Sequence, residues 1–522
     1  MKKWMSGLLG AIAVPVMSGC FLSCKSEEPL IVEPHPALPL GPSTLFDMRT
    51  NQELVPGVTY MRIERGLLSS QDVWTVDVAF RTDLASAESL VADLQSKGYE
   101  ARVETISKRA PDDPGSGPIG YLVRSGSVAT VAEVNTLRDR LAGSGYQGLR
   151  TVYTGEDGAE TTGPWVVHVL TVDPAVFKGK VEPELGTGNI PERELLTGLA
   201  RRKGALAAIN GGYFVIGATD GTPGDMAGIS VLQGTLVSEA VDGRTSLILP
   251  PGPGKDASIA AISDNINATS SDGATRLVDG LNRAPGLIRA CGGESSDQPV
   301  SVPRHDFTCT DSSELIQFTP IFGATTPSGD GVEALLNASG TVTELREGRG
   351  SAIPANGSVL AGTGEAAEWL RTHATLGKTI QVAVNISAEG APLPQGAGVV
   401  NGGPRLVGSG EVKITAYAEG FVHPDNAEFY YRFGVRRNPR TLAGVTGDGK
   451  LLLVAIDGRQ PGYSVGASFE ESALVLQALG AEHGVNLDGG GSTGVIVGTN
   501  LLTRPSDATG ERPIGDAIVI LP

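Results

Sequence analysis

The 522-residue chain is poor in the residues on which several common catalytic chemistries depend. It has only 6 His and 4 Cys, and no Gly-x-Ser-x-Gly stretch stands in a persuasive strand-to-helix setting. These shortages argue against a Ser/His/Asp hydrolase and against a zinc site built from paired Cys and His. Aromatic residues make up 5% of the chain, whereas Gly numbers 71, which predicts short strands joined by many tight turns.

Positive charge is also scarce. Lys and Arg total 41 against 58 Asp and Glu, so the formal net charge is −17 at pH 7. Phosphate backbones repel such a surface, and nucleic acid is therefore not expected as a partner. An acidic protein can still bind a single phosphate where a few Arg line a local pocket, so clusters of Arg are of particular interest.

The N-terminus has no hydrophobic run long enough to span a bilayer, but it resembles an export signal. Two Lys precede mostly apolar residues 8–17, and Met17-Ser18-Gly19-Cys20 resembles a bacterial lipobox. We expect residues 1–19 to be a lipoprotein signal peptide and Cys20 to carry the lipid. The protein would then be membrane-anchored in the bacterial cell envelope, facing the periplasm or the exterior. A plain secretory signal is the alternative.

The composition is that of a folded protein, with 40% hydrophobic and 19% charged residues, and the length predicts two or three domains. Residues 20–70 are predicted as a tether and linker, because five Pro lie between Pro29 and Pro42 among polar residues. Residues 46–70 themselves carry no clear pattern.

Residues 73–153 contain an internal repeat of strand, helix and strand. Alternating apolar residues from Trp74 to Phe80 predict the first strand, and Gly-Tyr pairs at Tyr99 and Tyr146 end the two predicted helices. Two βαβ copies predict a ferredoxin-like βαββαβ sandwich. Together with the segment 125–130, this pattern over 71–155 resembles the SPOR domain, which implies binding of peptidoglycan glycan strands that lack stem peptides. A ferredoxin-like spacer without a ligand is the alternative.

Residues 164–522 are predicted to form a strand-rich α+β domain. The runs 165–170 and 451–456 are typical of buried strands, and the clearest helix is predicted over 468–479, where Glu471 completes a capping box. Cys291 and Cys309 are expected to form a disulfide, since an exported protein meets oxidising conditions. Two unrelated thiols remain the alternative.

Four polar clusters stand at the ends of predicted strands in this domain. Asn210-Gly211-Gly212-Tyr213-Phe214 offers an amide for a sugar hydroxyl and a ring for stacking. The stretch 431–441 is rich in Arg, whose guanidinium groups bind phosphate oxygens in pairs. Asp457-Gly458-Arg459 follows a buried strand, and the stretch 485–493 places Asp488 before three Gly whose N–H groups can face an anion. Taken singly, the first three clusters have structural explanations: an Asn-Gly turn for the first, a solvated basic strand edge for the second, and a turn or an Asp457–Arg459 ion pair for the third.

These clusters, in this order, resemble the phosphodiester glycosidase family, which includes an N-acetylglucosamine-1-phosphodiester alpha-N-acetylglucosaminidase. Further stretches of the resemblance are 282–283, 402–406, 437–441 and 511–513, whereas residues 253–315 match poorly. The resemblance implies hydrolysis of a sugar-1-phosphodiester, such as an N-acetylglucosamine-1-phosphodiester, to a free sugar and a phosphomonoester.

The resemblance and the residue chemistry together assign candidate roles. Asp488 is the candidate base or nucleophile, and Asp457 is a candidate second carboxylate or metal ligand. Glu471 also matches a position of the family, but its capping role already accounts for a Glu at this position. The candidate substrate-binding residues are Asn210, Tyr213, Arg283, Arg405, Arg436, Asn438, Arg440, Arg459, Asn486, Gly489, Gly490 and Ser492.

The chemistry requires no cofactor, although Ca²⁺ held by Asp and backbone oxygens is compatible with it. The rival functions are a non-catalytic peptidoglycan-binding lipoprotein and a metal-dependent phosphodiesterase.

Overall fold

The structure is a computed structural model and describes residues 36–291 and 303–522. The predicted signal peptide and the lipidation site Cys20 lie outside the described residues. Pro36–Pro522 forms one compact unit. Helix accounts for 16% of the structure and strand for 39%, so the predicted α+β class is confirmed.

An eight-stranded sheet, called the core sheet below, organises the C-terminal domain. Its spatial order is Asp47–Val55, Val58–Arg65, Trp165–Val172, Leu451–Ile456, Arg440–Thr446, Ala481–Asn486, Arg405–Gly408 and Glu411–Val412. The two predicted buried strands are antiparallel neighbours in it. Val167 and Leu170 belong to different apolar clusters on its two faces. Burial on both faces explains why these strands appear in the sequence as continuous apolar runs.

The prediction of a linker over 20–70 is wrong for residues 47–65. These residues form the first two strands at one edge of the core sheet, and Val58–Arg65 pairs antiparallel with Trp165–Val172. Val58, Tyr60 and Ile63 are buried and separated by less buried residues, so this segment is a partly buried strand. The chain therefore contributes to the core sheet before it builds the repeat domain, and returns to the same sheet afterwards.

The repeat domain has the predicted ferredoxin-like topology. Its four-stranded sheet has the order Ala101–Ile106, Gly120–Val128, Trp74–Arg81 and Arg150–Tyr153. Helices α1 (Leu84–Ser96) and α2 (Val131–Gly143) pack on one face through a cluster that includes Val76, Leu94, Val123 and Leu141. The other face of the sheet packs against the C-terminal domain, because Leu122 belongs to the cluster that also contains Tyr431.

Three further sheets of five or more strands lie in the described part of the C-terminal domain. The second sheet has the order Thr235–Ser238, Ser230–Leu232, Gly398–Asn401, Arg244–Leu249, Ser258–Ser270, Ile380–Ala388 and Ala391–Pro392, with Thr275–Leu277 beside Ser258–Ser270. The third comprises Gly280–Leu281, Leu315–Phe318, Ser358–Gly362, Gly329–Leu336 and Val342–Arg349. The fourth comprises Asn500–Leu501, Val495–Val497, Ala207–Asn210, Asp516–Leu521 and Lys180–Leu185. The core, second and fourth sheets share one apolar cluster.

The remaining α-helices are short, and none of the helices within 36–291 and 303–522 is long and apolar enough to cross a membrane. They are α3 (Leu196–Lys203), α4 (Gly364–His373), α5 (Ala427–Tyr430) and α6 (Phe469–Ala478). The predicted capping box of α6 is present, since Ser468 and Glu471 exchange hydrogen bonds. Single turns of 3-10 helix lie at Thr154–Glu156, Gly186–Gly188, Pro320–Phe322 and Gly490–Ser492, and Tyr431–Val435 is a π-helical turn.

The predicted disulfide is confirmed. Cys291 and Cys309 are bonded, and both sulfur-bearing side chains are buried. The bond joins two short paired strands, Ile288–Arg289 and Thr308–Cys309. We call residues 288–291 and 303–309 the disulfide hairpin.

Candidate functional site

A cleft lies where the triple-glycine turn, the Arg-rich stretch and the disulfide hairpin meet. Its walls come from segments that are far apart in the sequence. The lining residues are Tyr213, Phe214, Ile216, Ala227, Arg289, His305, Asp306, Phe429, Arg432, Phe433, Asn438, Arg459, Asp488, Gly489, Gly490 and Arg512. Six predicted residues are among them: Tyr213, Asn438, Arg459, Asp488, Gly489 and Gly490.

Asn210 fixes the turn that carries Asp488. Its side-chain amide donates to the carbonyl oxygen of Asp488 at 2.7 Å, and its Oδ1 accepts from Thr441 Oγ1 at 2.7 Å and from the Gly494 N–H at 3.1 Å. Asn210 is buried and all its polar atoms are used, so it supports the site from behind. The expected sugar contact through Asn210 is therefore replaced by a structural role.

The triple-glycine turn lies against the Arg-rich stretch and between two guanidinium groups. The Gly490 N–H donates to the Pro439 carbonyl at 2.9 Å. A Cβ added at Gly490 would lie 3.3 Å from Arg459, and one at Gly491 would lie 2.3 Å from Arg512 Nη2. Only glycine leaves room for this approach, and Gly490 also has a φ of +59°.

Asp488 is half-buried at the base of the cleft. Its Oδ1 accepts from the Gly489 N–H at 2.9 Å. Burial raises the pKa of the Asp488 carboxyl to about 6, although the nearby Ser492 hydroxyl and the Arg512 charge act in the opposite direction. A carboxylate with such a pKa can exchange protons with substrate and water near neutral pH.

Four Arg converge on the cleft, and three of them have carboxylate partners. Arg289 pairs with Asp306, Arg512 pairs with Asp507, and Arg432 pairs with Asp77 and Glu428.

Arg459 differs from the other three Arg, because it makes no ion pair within the described part of the chain. It donates to Asn438 Oδ1 from Nη2 at 2.9 Å. Its φ of +57° is unusual for a residue with a side chain. Strained backbone of this kind concentrates at functional sites, and an exposed guanidinium without a carboxylate partner is suited to a phosphate.

One wall of the cleft is aromatic. Tyr213 and His305 have ring centroids 4.2 Å apart, and His305 lies 5.0 Å from Phe433. Burial lowers the pKa of His305 well below its usual value, and neighbouring Arg charges lower it further, so this ring is neutral. A cleft lined by both neutral aromatic rings and Arg can contact a sugar ring and a phosphate.

The structure does not bring Asp457 to the cleft. Its carboxylate lies in a buried network, where it contacts His168 Nε2 at 3.2 Å and accepts from the Tyr463 hydroxyl at 3.0 Å and the Arg504 N–H at 3.1 Å. The strand end delivers the side chain into the protein rather than into the cleft. Its role is therefore structural, and the expected second carboxylate is not this one.

Glu471 does not line the cleft either. Its side chain caps helix α6 and forms an ion pair with Arg437 at 2.6 Å. Several predicted Arg also do not line the cleft, and their guanidinium groups bind carboxylates or carbonyl oxygens elsewhere in the domain. Arg283 pairs with Glu239 and Glu314, Arg405 pairs with Glu389, Arg436 pairs with Asp157, and Arg440 donates to the carbonyls of Phe433 and Ala467.

Asn486 and Ser492 are buried and lie behind the lining residues. Asn486 Nδ2 donates to the Tyr213 hydroxyl at 2.5 Å, and that hydroxyl donates to the Gly403 carbonyl at 2.8 Å. Asn486 therefore holds the aromatic ring in place, and the Ser492 N–H donates to the Gly489 carbonyl within the glycine turn at 3.1 Å.

Sequence reasoning missed Arg289, His305 and Asp306, which the disulfide hairpin brings to the cleft. They fall in the segment that matched the family poorly, and the Cys pair was the one signal there. Arg432 and Arg512 stood within quoted stretches but were not singled out. Only their positions in the folded chain distinguish them from neighbouring Arg.

No group of three or more His, Cys, Asp or Glu that could hold a metal ion occurs in the part of the chain that the structure describes. Asp306 and Asp488 are the two carboxylate residues among those that line the cleft. Ca²⁺ binding stays a prediction.

Comparisons with known proteins agree with this architecture. A family model described as phosphodiester glycosidase matches residues 330–521, and a SPOR domain model matches residues 70–151. A Burkholderia pseudomallei K96243 protein described as exported is 34% identical, with 94% of this chain and 99% of that chain covered and a TM-score of 0.86. No match was found among curated proteins.

Two more distant structures also match. A hypothetical protein from Synechocystis is 19% identical over 91% of this chain and 76% of its own, with a TM-score of 0.54, which supports the fold alone. The catalytic domain of zebrafish N-acetylglucosamine-1-phosphodiester alpha-N-acetylglucosaminidase, auto-inhibited by its pro-peptide, is 15% identical over 81% of this chain and 88% of its own. Its TM-score is 0.34.

The Burkholderia protein matches along nearly the whole of both chains, and the two family models match the repeat domain and the C-terminal part of the larger domain. The chain is a member of the phosphodiester glycosidase family that carries a SPOR domain.

Proposed function

We propose that this protein hydrolyses a sugar-1-phosphodiester in the bacterial cell envelope and releases the free sugar and a phosphomonoester. The observation that carries the proposal is the position of Asp488, a carboxylate with a pKa near 6, in a cleft lined by four Arg and one aromatic wall. The family membership supports the same reaction class.

Asp488 is the base in this proposal. It removes a proton from water, the water oxygen bonds to the sugar C1, and the C1–O bond to phosphate breaks. The phosphomonoester leaves with the bonding electrons and takes up the proton. Because a phosphate is already a good leaving group, the cleft needs little acid assistance at the departing oxygen.

The Arg groups supply the other part of the catalysis. Arg459 and Arg512 flank the triple-glycine turn, so both can contact the phosphate as negative charge accumulates on it. Preorganised donors of this kind stabilise developing charge without reorganisation during the reaction. The sugar ring would then lie against Tyr213, His305 and Phe433.

Asp306 takes the place proposed earlier for Asp457 as the second carboxylate. It lines the cleft, its side chain is 56% exposed, and its negative charge raises the pKa of Asp488. We propose that it assists in stabilising positive charge at C1 or in orienting the water.

The SPOR domain and the exported Burkholderia relative support a location in the cell envelope. We propose that the SPOR domain binds peptidoglycan glycan strands and that a lipid on Cys20 anchors the chain to the membrane. Since one face of the SPOR sheet is covered by the C-terminal domain, glycan would have to bind the helical face or the sheet edges.

The reaction is tested with a panel of synthetic and wall-derived sugar-1-phosphodiesters in ¹⁸O-labelled water. Label in the released sugar supports C1–O cleavage. Label in phosphate identifies a phosphodiesterase instead, and a protein that binds cell wall but turns over no compound of the panel is a non-catalytic binder. Either of the last two results overturns the proposal.

A further inference from the structure

The SPOR domain and the cleft are joined at one side chain, that of Arg432. Arg432 lies in the π-helical turn Tyr431–Val435 and lines the cleft. Its guanidinium is shared between two carboxylates: Nη1 donates to Asp77 of the SPOR domain at 2.7 Å, and Nε donates to Glu428 at 2.7 Å. A wall of the cleft is therefore held in place from outside the C-terminal domain.

Asp77 is itself fixed. It lies in the SPOR strand Trp74–Arg81, it is 1% exposed, and its other oxygen accepts from Arg124 Nε at 2.8 Å. Arg124 is also 1% exposed and is held in turn by Asp157 and Glu104. Because both oxygens of Asp77 accept hydrogen bonds and its side chain is buried, this carboxylate holds the Arg432 guanidinium in one orientation.

The surrounding contact is tightly packed. Phe80 of the SPOR domain stacks on Tyr431 with ring centroids 6.1 Å apart, and Arg124 Nη2 donates to the Tyr431 hydroxyl at 3.3 Å. The turn that carries Arg432 thus lies between the SPOR sheet and the cleft. A movement of the SPOR sheet would be transmitted to the cleft wall through side chains in direct contact.

A long Arg side chain loses much conformational freedom when it binds a ligand, and a partner that fixes its orientation beforehand reduces that loss. Asp77 fixes Arg432 in this way. Asp77 and Glu428 together take two of the five guanidinium N–H bonds and leave three for other acceptors, because only Nη1 and Nε have partners within the described residues.

We propose that Asp77 of the SPOR domain is a positioning residue for Arg432 in the hydrolase cleft, so that the SPOR domain forms part of the substrate site rather than a separable wall-binding module. The ligand of Arg432 is an anionic group, the phosphate of the diester. This inference rests on the proposed function for its substrate, while the contact between the two domains stands independently.

The test compares Asp77→Asn with Glu104→Gln in the full chain. Both remove a carboxylate charge from Arg124, but only the first changes a contact of Arg432. Asp77→Asn should raise KM about tenfold with little change in kcat, and Glu104→Gln should leave both near wild type. Equal KM for the two variants overturns the proposal.

A double-mutant cycle separates positioning from general damage. If Asp77 acts through Arg432, Asp77→Asn should have no further effect on KM in an Arg432→Ala background. Additive effects overturn the proposal. If Asp77→Asn fails to fold, Asp77→Glu replaces it, because this variant keeps the charge but displaces it by one methylene. Asp77→Glu should likewise have no further effect on KM in the Arg432→Ala background.

Inorganic phosphate binding, measured by calorimetry, distinguishes failure of the inference from failure of the proposed function. If the wild type turns over no diester, the proposed function fails, and weaker phosphate binding by Asp77→Asn than by Glu104→Gln still supports positioning. If the wild type binds no phosphate and turns over no diester, both fail.

Discussion

The side-chain amide of Asn210 donates a 2.7 Å hydrogen bond to the main-chain carbonyl of Asp488, 278 residues further along the chain. This bond ties the end of one strand of the fourth sheet to the end of one strand of the core sheet. It explains why two polar clusters that look like unrelated turns in the sequence form one site.

Asp488→Asn should leave the fold intact and lower kcat by about 10²–10⁴-fold, since it removes a general base without changing the size of the side chain. The measurement is steady-state turnover of the best diester from the panel, with circular dichroism to confirm folding. Asp457→Asn is the matched control, because it alters a carboxylate at a neighbouring strand end outside the cleft. It should retain activity per folded molecule; loss of activity there with retention in Asp488→Asn would contradict the assignment.

The pH profile of kcat/KM should show an acidic limb near pH 6. The base must be ionised, and burial raises the pKa of Asp488 to about 6, so activity falls as the pH drops through that value. Initial rates between pH 4.5 and 8 at low substrate concentration measure it. A limb that is unchanged in Asp488→Asn would assign the titration to another group.

Asp306→Asn should lower kcat by about tenfold or more, because it removes the second carboxylate of the cleft. Asp220→Asn is the comparison: Asp220 also pairs with Arg289, at 3.2 Å, but it does not line the cleft. If the two variants lose activity equally, the effect comes from freeing Arg289 and not from the charge of Asp306.

Replacing both Cys291 and Cys309 by Ser should lower the free energy of unfolding by about 3 kcal/mol in the chain-entropy model. The same variant should raise KM, since the disulfide hairpin carries Arg289, His305 and Asp306. Urea unfolding and steady-state kinetics check the two effects. Lower stability with an unchanged KM would show that the hairpin keeps its place without the bond.

Asp516→Asn should increase stability at pH 8 relative to wild type by about 1–3 kcal/mol, and much less at pH 4. Burial raises the pKa of Asp516 to about 7, well above its value in an unfolded chain. Between those values the unfolded chain has released a proton that the native state retains, so this group costs stability as the pH rises toward 7. Unfolding in urea at both pH values measures the difference.

Much of the fold could be predicted from local patterns. The repeat between Trp74 and Tyr153 gave the ferredoxin-like topology, because alternating and helical apolar periods are properties of short segments. The buried central strands and the capping box at Ser468 were predictable for the same reason. The hairpin at 47–65 was missed because its outer strand is polar and resembles a linker. The strand Trp165–Val172, with which the hairpin pairs, follows more than a hundred residues later, so the pairing is not visible in the local sequence.

For the site, the residue types were predictable but their orientations were not. The sequence alone determined that Asp488 stands before a glycine turn, that residues 431–441 are rich in Arg, and that the chain resembles a phosphodiester glycosidase with a SPOR domain. The tertiary structure decided that Arg459 faces the cleft while Asp457, two residues earlier, is buried. It also brought Asp306 into the same cleft as Asp488 and placed Asp77 against Arg432. Which side of a strand end a side chain faces depends on packing from distant segments, and a local sequence pattern does not contain that information.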